Sequence, residues 1–163
     1  NNYIYIKEDG QIKSKGAYVK KLSIIDNDLP IVNKAIKEKL INNIDIETTI
    51  NNATDLIDFQ KCVKVTGKYS HVVYGKDNID LKVLRVFASK SILDSAIMKV
   101  KTDGKLEKIS YTPDRAFIDN GNIIGKKVPD YLDRNWYINL AKERLDSFIP
   151  EDTFTLFDYL DIL

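Results

Sequence analysis

The sequence predicts an α+β fold: an N-terminal β-hairpin, short helices, a small antiparallel sheet and a long C-terminal helix. Three observations predict it. Residues 2–7 mix tyrosine and isoleucine and run into Glu8-Asp9-Gly10, whose Asp-Gly pair is a hairpin turn signal. Between residues 61 and 118, short runs of branched and aromatic residues are separated by glycine-bearing turns. From Arg134 to Phe148, apolar residues recur at helical spacing behind Asp133, a capping residue type.

In chain order, residues 2–7 read as one strand and 11–21 as its return. Asp26, Asn27 and Asp28 are capping candidates, and Pro30 sits where a first helical residue belongs. Ile31, Ala35, Ile36, Leu40 and Ile41 then follow helical spacing, with Lys34, Lys37, Glu38 and Lys39 largely opposite, and Asn42-Asn43 ends the run. Residues 46–50 predict a second short helix. Thr54 or Asp55 caps a third, with Leu56, Ile57 and Phe59 turned inward.

Residues 61–66 and 69–74 read as strands split by Gly67-Lys68, and residues 81–89 as a strand or a strand entering a turn. Residues 96–100 and 106–110 form a hairpin about Thr102-Asp103-Gly104. Ala116-Phe117-Ile118 is a short strand, followed by a turn at 119–122. In the last helix Trp136, Tyr137, Leu140, Ala141, Leu145 and Phe148 form the apolar stripe, while Lys142, Glu143 and Arg144 face outward.

Composition narrows the possible chemistry. Cys62 is the sole cysteine, so no internal disulfide forms, and the expected setting is a reducing cytoplasm. His71 alternates with valines and reads as a sheet residue. No apolar run is long enough to span a bilayer, and no signal peptide is visible, so no membrane partner is expected. The chain starts at Asn1-Asn2 with its one methionine at 98, which suggests an internal piece of a larger protein. The net charge of +1 hides an asymmetry: residues 151–163 hold four acids and no base, which leaves +5 on the rest. Such a division fits a basic surface for a polyanion and a separate acidic tail.

The stretch Lys13-Ser14-Lys15-Gly16-Ala17-Tyr18-Val19-Lys20-Lys21 concentrates that charge. Strand periodicity puts Lys13 and Lys15 on one face and Gly16, Tyr18 and Lys20 on the other. Two readings fit. A cationic row beside a glycine and an aromatic suits a phosphate chain laid along the strand. Alternatively, the lysines guard an edge strand of a stand-alone interaction domain against pairing with another chain.

The order Lys-x-Lys-Gly-x-Tyr, then residues 29–36, then Asn52-Ala53-Thr54-Asp55, Arg85-Val86-Phe87-Ala88-Ser89-Lys90 and Asp133-Arg134-Asn135-Trp136-Tyr137-Ile138, resembles the C-terminal part of the family B DNA polymerases of phages and viruses. The resemblance runs from the first strand to about residue 148. It implies a palm-edge hairpin at 1–22, a thumb-like DNA-gripping domain at 23–150 and an acidic-apolar tail at 151–163. It implies primer–template duplex as partner, held by Lys13, Lys15, Gly16, Tyr18, Lys20 and Lys21, with Arg85, Ser89 and Lys90 facing or adjoining the DNA. The palm, fingers and exonuclease would precede this chain in the same polymerase. The tail resembles the peptide by which replicative phage polymerases engage a sliding clamp. Leu156, Phe157, Leu160 and Leu163 stand at near-helical spacing for an apolar groove.

Catalytic motifs are not found. Polymerase chemistry needs two carboxylate-held magnesium ions, and the sequence offers no Asp-Thr-Asp or equivalent; Tyr74-Gly75-Lys76-Asp77 lacks the paired carboxylates. Neither a glycine-rich phosphate loop nor a zinc spacing is found. The expectation is a chain with no cofactor of its own, with Mg2+ and dNTP bound in the parent palm, which grips product duplex without catalysing synthesis alone.

Overall fold

A computed structural model of the chain describes residues 3–6, 12–15, 28–109 and 112–148, the first two segments and residue 148 as backbone only. The fold is mixed α+β, with three α-helices and small antiparallel sheets among the described residues. The chain forms two compact units. One comprises residues 1–53 and 137–163; the other comprises residues 54–136.

In the first unit, β1 (Tyr3–Ile6) pairs antiparallel with β2 (Ile12–Lys15), with Tyr5 opposite Lys13 and Tyr3 opposite Lys15. Helix α1 (Pro30–Asn42) starts on Pro30, whose missing N–H costs nothing at that position. Of the capping candidates, Asp26 and Asn27 lie outside the described residues, and Asp28 precedes the cap position. The cap position is Leu29, left-handed at φ 53° and fully buried, and its carbonyl accepts from the N–H groups of Val32 and Asn33.

Ile31, Val32, Asn33, Ala35, Ile36 and Leu40 are buried, whereas Ile41, expected inside, is 48% exposed. At about 100° per residue, the buried set fills the arc from Ile31 round to Asn33, and Ile41 falls on the opposite side. Asn43 ends the helix in the left-handed region, its N–H bonded to the Lys39 carbonyl.

Helix α2 (Ile46–Asn52) buries Ile46 and Ile50, one turn apart. Helix α3 (Arg134–Phe148) has the expected bounds. Within the first unit it buries Tyr137, Ile138, Leu140, Ala141 and Arg144, and Lys142 pairs with Glu47 of α2. That pairing, chiefly the hydrogen bond from Lys142, holds the Glu47 carboxyl below the usual glutamate range. Arg144, expected outside, is 5% exposed. It lies on the same stripe as Tyr137 and Ala141, at i, i+4 and i+7.

The second unit opens with one 3-10 turn, Leu56–Phe59, where an α-helix was expected. The flanking backbone is already committed: Leu56 N–H donates to the Lys126 carbonyl and Val128 N–H to the Thr54 carbonyl. Leu56 and Phe59 still turn inward and are fully buried.

Seven strands follow: β3 (Lys61–Lys64), β4 (Tyr69–Tyr74), β5 (Asp77–Ile79), β6 (Val83–Ala88), β7 (Ile97–Lys101), β8 (Leu106–Lys108) and β9 (Ala116–Ile118). They form a three-stranded sheet ordered β3-β6-β9 and a four-stranded sheet ordered β5-β4-β7-β8. Gly67, at φ 67°, therefore separates two strands that join different sheets. Val63, Leu84, Val86 and Ala116 from the first sheet meet Val72 and Ile97 from the second in one buried cluster with Val65 and Ile109.

Next to β9, the Asn120 side chain extends the three-stranded sheet. Its Oδ1 accepts from Arg85 N–H at 2.7 Å and its Nδ2 donates to the Val83 carbonyl at 3.0 Å. The amide thus makes the two bonds that a neighbouring strand residue would make to β6.

Leu84→Ala is expected to cost about 2–5 kcal/mol, because it opens a cavity in this cluster. Ile41→Ala should stay within about 0.5 kcal/mol. Urea unfolding midpoints at unchanged slope test both.

Candidate nucleic-acid interface

The second unit carries fifteen lysines and arginines against eleven aspartates and glutamates. Some of the cations are neutralised internally. Lys108 meets Asp114 at 2.6 Å, Lys126 meets Asp119 at 2.6 Å, Lys127 meets Asp55 at 3.4 Å and Lys101 meets Glu107 at 3.3 Å. Hydrogen bonds from these lysines hold the Asp114 and Asp119 carboxyls below their usual range. Lys64, Lys76, Lys82, Lys90, Lys105 and Arg115 are exposed and make no ion pair among the described residues. They are the cations left for an external anion.

A second basic group surrounds Tyr69. The ammonium of Lys99 lies 4.7 Å from the ring centroid and that of Lys68 lies 5.5 Å from it. The Tyr69 hydroxyl donates to Glu107 Oε1 at 2.7 Å, which raises the phenol pKa. The same bond, with Lys101 behind it, lowers that of Glu107. Sequence reasoning missed this cluster and the free lysines of the turns. Lys76 beside Gly75 and Lys105 beside Gly104 were the available signals, since turn lysines point into solvent.

The structure positions the sequence candidates unequally. Lys13 and Lys15 lie on β2. Gly16, Tyr18, Lys20 and Lys21, and the tail residues Leu156, Phe157, Leu160 and Leu163, lie outside the described residues. Arg85 is half-buried on β6, and its guanidinium donates to the Gly121 carbonyl at 3.0 Å. Lys90 is exposed, and its backbone N–H is bonded to the Tyr131 carbonyl.

Ser89 is 5% exposed, and its hydroxyl is engaged internally: it donates to Asp94 Oδ2 and accepts from Ser91 N–H at 3.0 Å. Tyr74 completes this network. Its single hydroxyl proton is shared between Asp94 Oδ1 at 2.9 Å and the Ala116 carbonyl at 2.7 Å. Burial, then the bond to Asp94, pushes the phenol up to about 12. Ser89 therefore braces a loop next to Lys90.

Among the described residues no group of three or more His, Cys, Asp or Glu side chains is gathered to hold a metal ion. No helix among them is long and apolar enough to cross a membrane. His71 sits in β4 with Nδ1 2.8 Å from the Ser70 hydroxyl, and half-buried Cys62 faces Arg85 across the β3–β6 pair. No protein-family model, curated protein or solved structure matches this chain.

Because the folded Tyr74 pKa is raised, its neutral form stabilises the fold. That contribution is present in full below pH 10 and is lost as pH rises through about 12. Absorbance titration should show one phenol ionising late, near pH 12, and lacking in Tyr74→Phe. The same variant should lose about 1 kcal/mol of stability at neutral pH.

Proposed function

We propose that this chain grips the phosphate backbone of primer–template DNA as the palm-edge and thumb part of a family B DNA polymerase, and does not synthesise DNA alone. The observation that carries the reading is the set of exposed cations without internal partners: Lys64, Lys76, Lys82, Lys90, Lys105 and Arg115. The ordered motifs from Lys13 to Ile138 support it independently of the charge. Lys13 and Lys15, with Lys20 and Lys21, meet phosphates, and Tyr18 packs on a sugar or hydrogen-bonds near the primer end. Arg85 fastens the turn beside β9, and Ser89 holds the loop that presents Lys90. The grip is independent of sequence, because a polymerase must slide over any template. Mg2+ and dNTP belong to the palm upstream, and the acidic-apolar tail takes a sliding clamp.

A second reading has a specific observation in its favour. Among the described residues β2 pairs on one side only, with β1, so Lys13 and Lys15 stand on an edge strand, where lysines block further pairing. On that reading the protein is an interaction module without affinity for DNA.

Fluorescence anisotropy against a labelled primer–template duplex across a salt series separates the two. Phosphate gripping gives affinity that falls linearly in log salt. Lys13→Ala/Lys15→Ala should make the slope shallower by about one to two units while circular dichroism stays unchanged. No binding at low salt would leave the edge-strand reading. Deleting residues 154–163 should abolish clamp capture and leave duplex affinity nearly unchanged; a fall in duplex affinity or unfolding would make the tail structural instead.

A further inference from the structure

Residues 89–96 join β6 to β7, and the loop ends in two adjacent aliphatic side chains, Ile92 at 79% exposure and Leu93 at 87%. Water disfavours such a pair, and a slack loop would fold it inward. This loop is braced against doing so. Ser91 N–H donates to the Ser89 hydroxyl and Leu93 N–H to the Ser91 hydroxyl at 3.2 Å, two successive serine turns. Asp94 links Ser89 on one side of the tip to Tyr74 in the sheet below. Ser95 forms a bridge with Ala116, and the backbone at Gly75 comes so close that a Cβ there would lie 3.4 Å from the Ser95 hydroxyl.

The same contacts bring the backbones of three cationic residues to the base of the loop. Lys90 follows Ser89. Arg115 offers its carbonyl to Ser89 N–H at 3.1 Å, and Lys76 follows Gly75. All three are exposed without an ion pair among the described residues. The acids nearby in the chain are distributed differently: Asp114 is taken by Lys108, Asp94 is held inside the network, and Asp77 and Asp130 are exposed beside Lys76 and Tyr131.

We propose that Ile92 and Leu93 form an apolar wedge that enters the minor groove of duplex DNA and partly unstacks a base step, while Lys90, Arg115 and Lys76 hold the flanking phosphates. The proposal rests on the DNA-gripping reading and adds to it a contact with bases that charge alone does not supply. A minor groove about 6 Å wide, with phosphates on both walls and stacked bases at its floor, matches a two-residue aliphatic tip inside a cationic collar. The bracing supplies the stiffness that prising bases apart requires.

The test uses a duplex carrying 2-aminopurine, with the wild-type chain, Ile92→Ser/Leu93→Ser and Lys90→Ala/Arg115→Ala. Wild-type binding should raise the 2-aminopurine fluorescence. The serine variant should keep its circular dichroism and salt slope, bind about tenfold more weakly and give no fluorescence rise. The Lys90/Arg115 variant should flatten the salt slope. Ile92→Ala/Leu93→Ala gives the same readout should the serine pair fail to fold. Equal affinity and equal fluorescence for wild type and serine variant overturn the wedge and leave the phosphate grip standing. Absence of duplex binding by the wild type at low salt overturns both. Co-sedimentation with phosphatidylserine-containing vesicles that depends on Ile92 and Leu93, without any 2-aminopurine response, overturns the wedge in favour of a lipid surface.

Discussion

The second unit depends on one apolar contact, the face of β3, β6 and β9 against the face of β4 and β7. Each sheet has one apolar face that it must keep from water, and strands this short are not stable in isolation. Val63, Leu84 and Val86 on one side and Val72 and Ile97 on the other supply the burial that makes both sheets worth forming. Every functional candidate in this unit hangs from a strand that this contact holds. Arg85 sits on β6 between Leu84 and Val86, the Ser89 loop begins where β6 ends, and Tyr74 closes β4 with its ring packed on the same cluster.

Polar bonds fix what the apolar contact leaves loose. They sit at strand ends, where backbone groups run out of partners. The Asn120 amide continues the β6 ladder, and Tyr74, Asp94 and Ser89 tie a loop to the sheet beneath it. In the Ser89–Asp94–Tyr74 network, buried and half-buried groups spend their hydrogen bonds internally while the neighbouring Lys90 stands in solvent. This division of labour explains why Ser89 and Lys90, adjacent in sequence, have opposite exposure.

Much of the fold was legible because its signals are local. Helix α3 has a cap residue type and a stripe of six apolar positions. The β7–β8 hairpin has an Asp-Gly turn, and β9 is bounded by breakers on both sides. What was not legible depends on partners distant in sequence. The backbone around Asp55 cannot continue as a helix because it pairs with residues 126–128. Ile41 and Arg144 exchange their expected places because hydrophobicity alone does not fix which arc of a helix meets its neighbours. Lysines are equally silent: Lys127 is neutralised by an aspartate 72 positions away, while Lys90 is not, and nothing in their surroundings distinguishes them. The candidate interface was therefore readable as an excess of charge, and only in part as a set of residues.

Asn120 is followed by Gly121, the dipeptide most prone to spontaneous deamidation, because a glycine nitrogen attacks the preceding side-chain amide with little hindrance. Here the amide is pinned at both ends to β6, and the Gly121 N–H is bound to Asp119 Oδ1 at 3.1 Å. Ring closure requires both to let go, so this ageing reaction proceeds only when the sheet margin opens. Its product would place a carboxylate oxygen against the Val83 carbonyl and prevent the margin from closing properly again. The slow accumulation of that product is thus a chemical clock, built into the chain, that counts how often this margin of the sheet comes apart.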